Sequence, residues 1–154
     1  MLIKSLAAVA IATAVLLGPP RIAVTTDDLP KGAVAMVEAQ YHTDHGDARV
    51  YGTAYSHEAG KRIEREVTLR KLDANHYQVN NTWGAMPVAL VLGVAQDHGD
   101  FGAAEALVRV DRTGRVLGID IAKTNPIIGS SMPRRVNDRE IEGALQALGY
   151  RIAE

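Results

Sequence analysis

Residues 88–95, VALVLGVA, hold no polar side chain. Three valines and two leucines in so short a run favour an extended strand, bounded by Pro87 on one side and Gln96-Asp97 on the other. A strand with one wet face alternates between apolar and polar residues. The alternation disappears only when both faces are covered. This stretch is therefore the candidate central strand, and the rest of the chain must supply cover for it on two sides.

The clearest partner follows directly. Ala104, Ala106, Val108 and Val110 alternate with Glu105, Leu107, Arg109 and Asp111, and beyond a turn Leu117, Ile119 and Ile121 alternate with Val116, Gly118 and Asp120. Between them Asp111-Arg112-Thr113-Gly114 has the composition of a type I turn, with glycine where a left-handed residue is needed. Earlier segments read the same way. Residues 49–55 and 61–69 form two strands joined through Ser56-His57-Glu58-Ala59-Gly60, with the odd positions of the second facing inward except Arg65. Residues 77–83 alternate, with Tyr77, Val79 and Trp83 on one face. Residues 32–41, GAVAMVEAQY, are rich in alanine and methionine and are expected to form a short helix.

One long helix is predicted. Asn137 caps it, Glu140 closes a capping box, and Ile141, Ala144, Leu145 and Leu148 recur at helical spacing. Gly149 then ends it in the left-handed position. The fold class expected is α+β, a mainly antiparallel sheet of hairpins packed by a C-terminal helix.

The N-terminus is expected to lie outside this fold. Lys4 precedes an apolar run at residues 6–17, which Gly18-Pro19-Pro20 stops. The run is shorter than the roughly 20 residues a spanning helix needs and matches the apolar core of a secretory signal. Residues 1–23 are thus read as a signal peptide or an N-terminal membrane anchor, residues 24–31 as a linker and residues 32–154 as one domain. The expected location is outside the cytoplasm, periplasmic or secreted.

Several function classes are excluded. The net charge of −1 and the lack of a basic run argue against a nucleic-acid partner. With no cysteine there is no disulfide, thiolate metal site or cysteine nucleophile. No Walker A, G-x-G-x-x-G, G-x-S-x-G or H-E-x-x-H motif is present. Glu58, Glu64 and Glu66 form no acid/base pair, and an enzyme is not expected.

Two places carry candidate chemistry. Asp-His-Gly-Asp occurs twice, at residues 44–47 and 97–100, each time ahead of a strand, a glycine turn (Gly60, Gly114) and a second strand. That pattern reads as a duplicated hairpin or as coincidence. Imidazole and carboxylate donors at His42, His45, Asp47, Asp97, His98 and Asp100 suit a divalent metal, and the same residue types also make plain solvated turns. The second place is the loop at residues 125–135. With Thr124 just ahead of it, Asn125, Gly129, Ser130 and Ser131 offer hydroxyls and backbone N–H groups, with Arg134, Arg135 and a helix N-terminus at Asn137 close behind, a set able to hold a phosphate or carboxylate. Those arginines read equally well as surface charge. Trp83 offers either a stacking surface for a flat ligand or a core side chain.

On these residues rests one resemblance. The stretch VRVDRTGRVLGIDIAKTNPIIG, with Gly114, Val116, Gly118, Ile119 and Ile121 in the pattern G-x-V-x-G-I-x-I, resembles the extracytoplasmic FMN-binding domains of bacterial electron-transfer proteins. The S-G-A-T-x-T-S-like motif of covalent flavin attachment is absent, so the resemblance implies a non-covalent FMN site. The same hairpin, through D-x-x-G-x-V, is similar to PepSY-type secreted domains, which implies a binding or inhibitory module with a small-molecule or protein partner and no cofactor.

Overall fold

A computed structural model describes residues 19–41, 48–96, 102–124 and 131–152. Among the described residues, nine strands and one helix follow one another. They are β1 (Arg21–Thr25), β2 (Ala33–Gln40), β3 (Ala48–Glu58), β4 (Lys61–Val67), β5 (Leu69–Lys71), β6 (His76–Asn80), β7 (Val88–Gln96), β8 (Ala103–Val110), β9 (Val116–Ile121) and α1 (Asp138–Ala147). The class is α+β and the strand pairing is antiparallel throughout the assigned ladders.

The strands form two sheets rather than the single sheet expected. One has the order β1-β2-β6-β5 and the other β4-β3-β7-β8-β9. The chain passes from the second to the first at Thr68, between β4 and β5, so one nearly continuous extended segment serves both sheets. Val37, Ala39 and Val79 of the smaller sheet pack against Val88, Leu90, Leu92, Val94, Ala106, Val108 and Val110 of the larger. On the opposite face of the larger sheet, Ile141, Ala144 and Leu145 of α1 cluster with Ala89, Val91 and Leu107. That is why β7 does not alternate: even positions meet the other sheet, odd positions meet the helix, and residues 88–95 are all buried. Burying each such Val or Leu contributes about 1.5–3 kcal/mol relative to leaving it exposed.

The turn at residues 111–114 forms as expected. Gly114 has φ +85°, and the Asp111 carboxylate accepts from the N–H groups of Thr113 and Arg115 at 2.8 and 3.0 Å. The helix is capped as its sequence indicates. The Asn137 side chain accepts from Glu140 N–H at 3.0 Å, and Glu140 accepts from Asn137 N–H at 2.9 Å. Gly149 closes the C-terminal end at φ +95°.

Three expectations are corrected. Residues 33–40 are strand β2, not a short helix. Ala35, Val37 and Ala39 are fully buried on one face, and ladder bonds to β1 and β6 on both edges outweigh a helical preference that is marginal at this length. Residues 21–25, read as the end of the leader and the start of a linker, form β1. Ile22 and Val24 turn inward and the strand pairs in register with β2, Ile22 opposite Ala39. Arg65 faces the same way as Ile63 and Val67. Its guanidinium is held half-buried by Ser56 Oγ at 3.2 Å and Glu58 at 2.6 Å.

Candidate functional site

The helix-facing side of the larger sheet carries a polar row across its three middle strands. Tyr51 on β3 lies opposite Gly93 on β7, and Gly93 lies opposite Glu105 on β8. The glycine makes the row possible. A Cβ at position 93 would stand 2.6 Å from the Tyr51 phenol oxygen, so the ring occupies the space that any other residue would fill. Laid across Gly93, the phenol donates a hydrogen bond to Glu105 Oε1. The other oxygen of Glu105 accepts from Val136 N–H at 2.7 Å, and Arg135 Nη1 approaches Oε1 at 3.4 Å and the Tyr51 oxygen at 3.2 Å. With its side chain only 7% exposed, the Glu105 carboxylate is satisfied by three donors. Burial, and next the bond to Glu105, push the Tyr51 phenol well above the ordinary tyrosine range, so it stays a neutral donor.

Beside this row is a cavity of about 400 Å³ lined by Pro19, Gly102, Ala103, Met132, Pro133, Arg134 and Arg135. Its two arginines are not equivalent. Arg134 forms a bidentate pair with Glu140 at 2.8 and 2.7 Å, and also donates to the carbonyls of Lys123 and Arg135. The Arg134 pair, ahead of the bond from Asn137 N–H, holds the Glu140 carboxyl down at about 2. The helix N-terminus thus already has its anion in Glu140. Arg135 is 58% exposed, and its Nε and Nη2 have no partner among the described residues.

The loop that borders the cavity is pinned at its base. Thr124 N–H donates to the Met132 carbonyl at 2.8 Å, Met132 N–H donates to Thr124 Oγ1 at 2.9 Å, and Lys123 bridges to Pro133. Thr124 therefore has a structural bond that its sequence context does not reveal. Ser131 is exposed at the start of the returning arm. Asn125, Gly129 and Ser130 lie outside the described residues, as do His42, His45, Asp47, Asp97, His98 and Asp100. Among the described residues no group of three or more His, Asp or Glu side chains is placed to hold a metal ion.

Trp83 stands apart from this site. It is 4% exposed and belongs to the core between the sheets, with its indole N–H unpartnered among the described residues. It is not on a strand: β6 stops at Asn80, and Asn81 Oδ1 accepts from the N–H groups of Trp83 and Gly84 at 3.1 and 3.0 Å to form a turn. A side chain so enclosed offers no face to a flat ligand, so the core alternative holds for Trp83.

A second polar cluster lies along the flank of α1. The His57 side chain is 9% exposed, and among the described residues neither its ring nitrogens nor Glu142 Oε2, 3.8 Å away, has a hydrogen bond. Arg62 joins Glu142 and Asp138 at 3.2 and 3.1 Å and sits 5.5 Å from the centre of the Tyr55 ring. These contacts tie β4 to the helix.

Tyr51 and Glu105 are the residues that the sequence did not single out, whereas Arg135 was read with Arg134 as a cation behind the loop. One signal pointed to the pair: a glycine at position 93 inside an otherwise branched, buried strand marks a close approach. Among the described residues, no helix is long and apolar enough to cross a membrane. Compared with protein-family models, curated proteins and solved structures, the chain matches none.

Proposed function

We propose that this chain is an exported small-molecule-binding domain, with its ligand seated in the cavity between the start of β8 and the arm that leads into α1. One observation carries the reading: a bonded polar wall of Tyr51, Glu105 and Val136 holds Arg135 at a cavity of about 400 Å³ while its Nε and Nη2 have no partner among the described residues. Binding sites combine an apolar lining with a few placed polar groups in a volume of roughly 300–1,000 Å³, and this cavity has that composition. The hairpin and the C-terminal helix act as the frame: β8 supplies Glu105, and the chain entering α1 supplies Arg135. Export is supported by the short apolar run at residues 6–17.

The strand that carries the flavin-domain resemblance, β9, delivers the chain to the Thr124–Met132 pair at the edge of the cavity. FMN therefore heads the compounds to test. Thermal denaturation with FMN and a chemically broad set of small molecules is the experiment, run on the wild type and on Met132→Trp, which fills the cavity from an exposed position. A compound that raises Tm in the wild type and not in the variant supports the reading. A set that raises neither, or both alike, contradicts it.

A divalent-metal carrier is the second reading, favoured by one observation. Ala48 and Gln96, the described residues that adjoin the two Asp-His-Gly-Asp segments, are paired across β3 and β7. Stabilisation by one divalent ion, lost on replacing His45 and His98 with alanine, is what that reading expects.

A further inference from the structure

The charges around the cavity wall narrow the ligand's chemistry, and this step rests on the small-ligand reading above. Two guanidinium groups, those of Arg134 and Arg135, line the cavity, and a third, that of Arg49, stands over the Tyr51 ring. Arg134 is matched by Glu140 through two short bonds. Arg135 is shared with Glu105 at 3.4 Å, through one nitrogen only. Arg49 is exposed, stands 5.0 Å from the centre of the Tyr51 ring, and has no carboxylate partner among the described residues. Among the described residues, two carboxylates thus face three cations, an excess of one positive charge.

The shape of the uncompensated group matters as much as its sign. Arg135 uses Nη1 for Tyr51 and Glu105, and the edge formed by Nε and Nη2 meets no partner among the described residues. Two parallel N–H groups on that edge match the two oxygens of a planar carboxylate. The rest of the lining is apolar or backbone: Pro19, Gly102, Ala103, Met132 and Pro133. A dianion would exceed the single spare charge and meet the repulsion of Glu105 and Glu140. An amine would face the cations directly, and a neutral amide would leave the charge unanswered.

We infer that the ligand is a compact organic carboxylate bearing a single negative charge, its acid group on the open edge of Arg135 and its apolar body against Ala103, Met132 and Pro133. Arg49 balances the added charge from the far side of Tyr51.

The test is an NMR titration of the full chain, following the Arg135 Nε–H resonance in the wild type and Met132→Trp, and the backbone amides of Gly102 and Ala103 in every protein. Benzoate and hexanoate are the carboxylate probes; benzamide, hexylamine and phenyl phosphate are the controls. The expected result is a saturable shift with both carboxylates and affinity at least about tenfold weaker in Arg135→Gln, with Arg135→Lys in between because it keeps charge without the planar edge. Met132→Trp, which leaves Arg135 and its bonds intact, is expected to abolish the shift, so the result does not hinge on how well Arg135→Gln folds. Benzamide binding as well as benzoate, or phenyl phosphate binding more tightly, overturns the carboxylate inference and leaves the small-ligand reading standing. Saturable binding that ignores both Arg135→Gln and Met132→Trp overturns it as well. If none of the five probes binds, the inference fails, and the thermal-denaturation set decides separately whether the cavity binds anything.

Discussion

The Tyr51 ring lies across the backbone of Gly93, where a single added Cβ would stand 2.6 Å from the phenol oxygen. Because the phenol is held at its far end by Glu105, it cannot move aside without losing that bond. Gly93→Ala is therefore expected to cost roughly 1–3 kcal/mol, the range for overpacking a close-packed site. The cost should fall to a small fraction in a Tyr51→Ala background, where the space is empty. Urea denaturation of the four proteins of this double-mutant cycle measures the coupling. Equal costs in both backgrounds would mean that the ring and the glycine are independent.

Glu105 answers three donors at once, two of which (Tyr51 O–H and Val136 N–H) have no other acceptor among the described residues. Glu105→Leu should destabilise the fold by about 2–4 kcal/mol through those stranded groups. Glu105→Gln, which keeps an acceptor, should cost less. Chemical denaturation of the two variants gives the order, and a smaller loss for leucine would show that the wall is not built on this carboxylate.

Acid should dissolve the Arg134–Glu140 contact only at low pH. Glu140 titrates at about 2 in the folded chain against an ordinary 4.5, mainly because of Arg134. A depressed carboxyl contributes stability that is complete above the unfolded value and is lost as pH falls through the folded one. Glu140→Gln is expected to lower stability by roughly 1–2 kcal/mol at neutral pH, a figure kept small because the pair is one-third exposed. The gap between variant and wild type should close between pH 4.5 and 2. A gap that stays constant across that window would remove the ion pair and the cap from the account.

Among the described residues His57 has no hydrogen bond from either ring nitrogen although its side chain is 9% exposed. Replacing an unsatisfied buried polar group with an apolar one of similar shape is neutral or stabilising. His57→Phe should thus leave Tm unchanged or raise it. A clear fall in Tm would mean that the imidazole has a partner in solution.

The strands that were legible in the sequence are those whose pattern follows from their own neighbours. β7 showed its two-sided burial in eight apolar residues, the β8–β9 turn showed Asp111 and Gly114, and α1 showed Asn137 and Glu140. β1 and β2 were not, because they exist through pairing with each other and, for β2, with β6. Nothing local in GAVAMVEAQY favours a strand over a helix. The site was half legible for the same reason. Arg134 was visible as a cation near a helix start, but its capture by Glu140 depends on a helix turn, and the role left to Arg135 depends on Glu105 thirty residues earlier. Trp83 misled because an alternating segment continued on paper past Asn80, where Asn81 turns the chain inward.

Native mass spectrometry of the wild type and Met132→Trp, each incubated with benzoate, tests the central claim most directly. The account predicts one bound probe per wild-type chain and none on the variant at the same concentration. Equal occupancy of the two proteins would place binding elsewhere and contradict the assignment of the cavity beside Tyr51, Glu105 and Arg135.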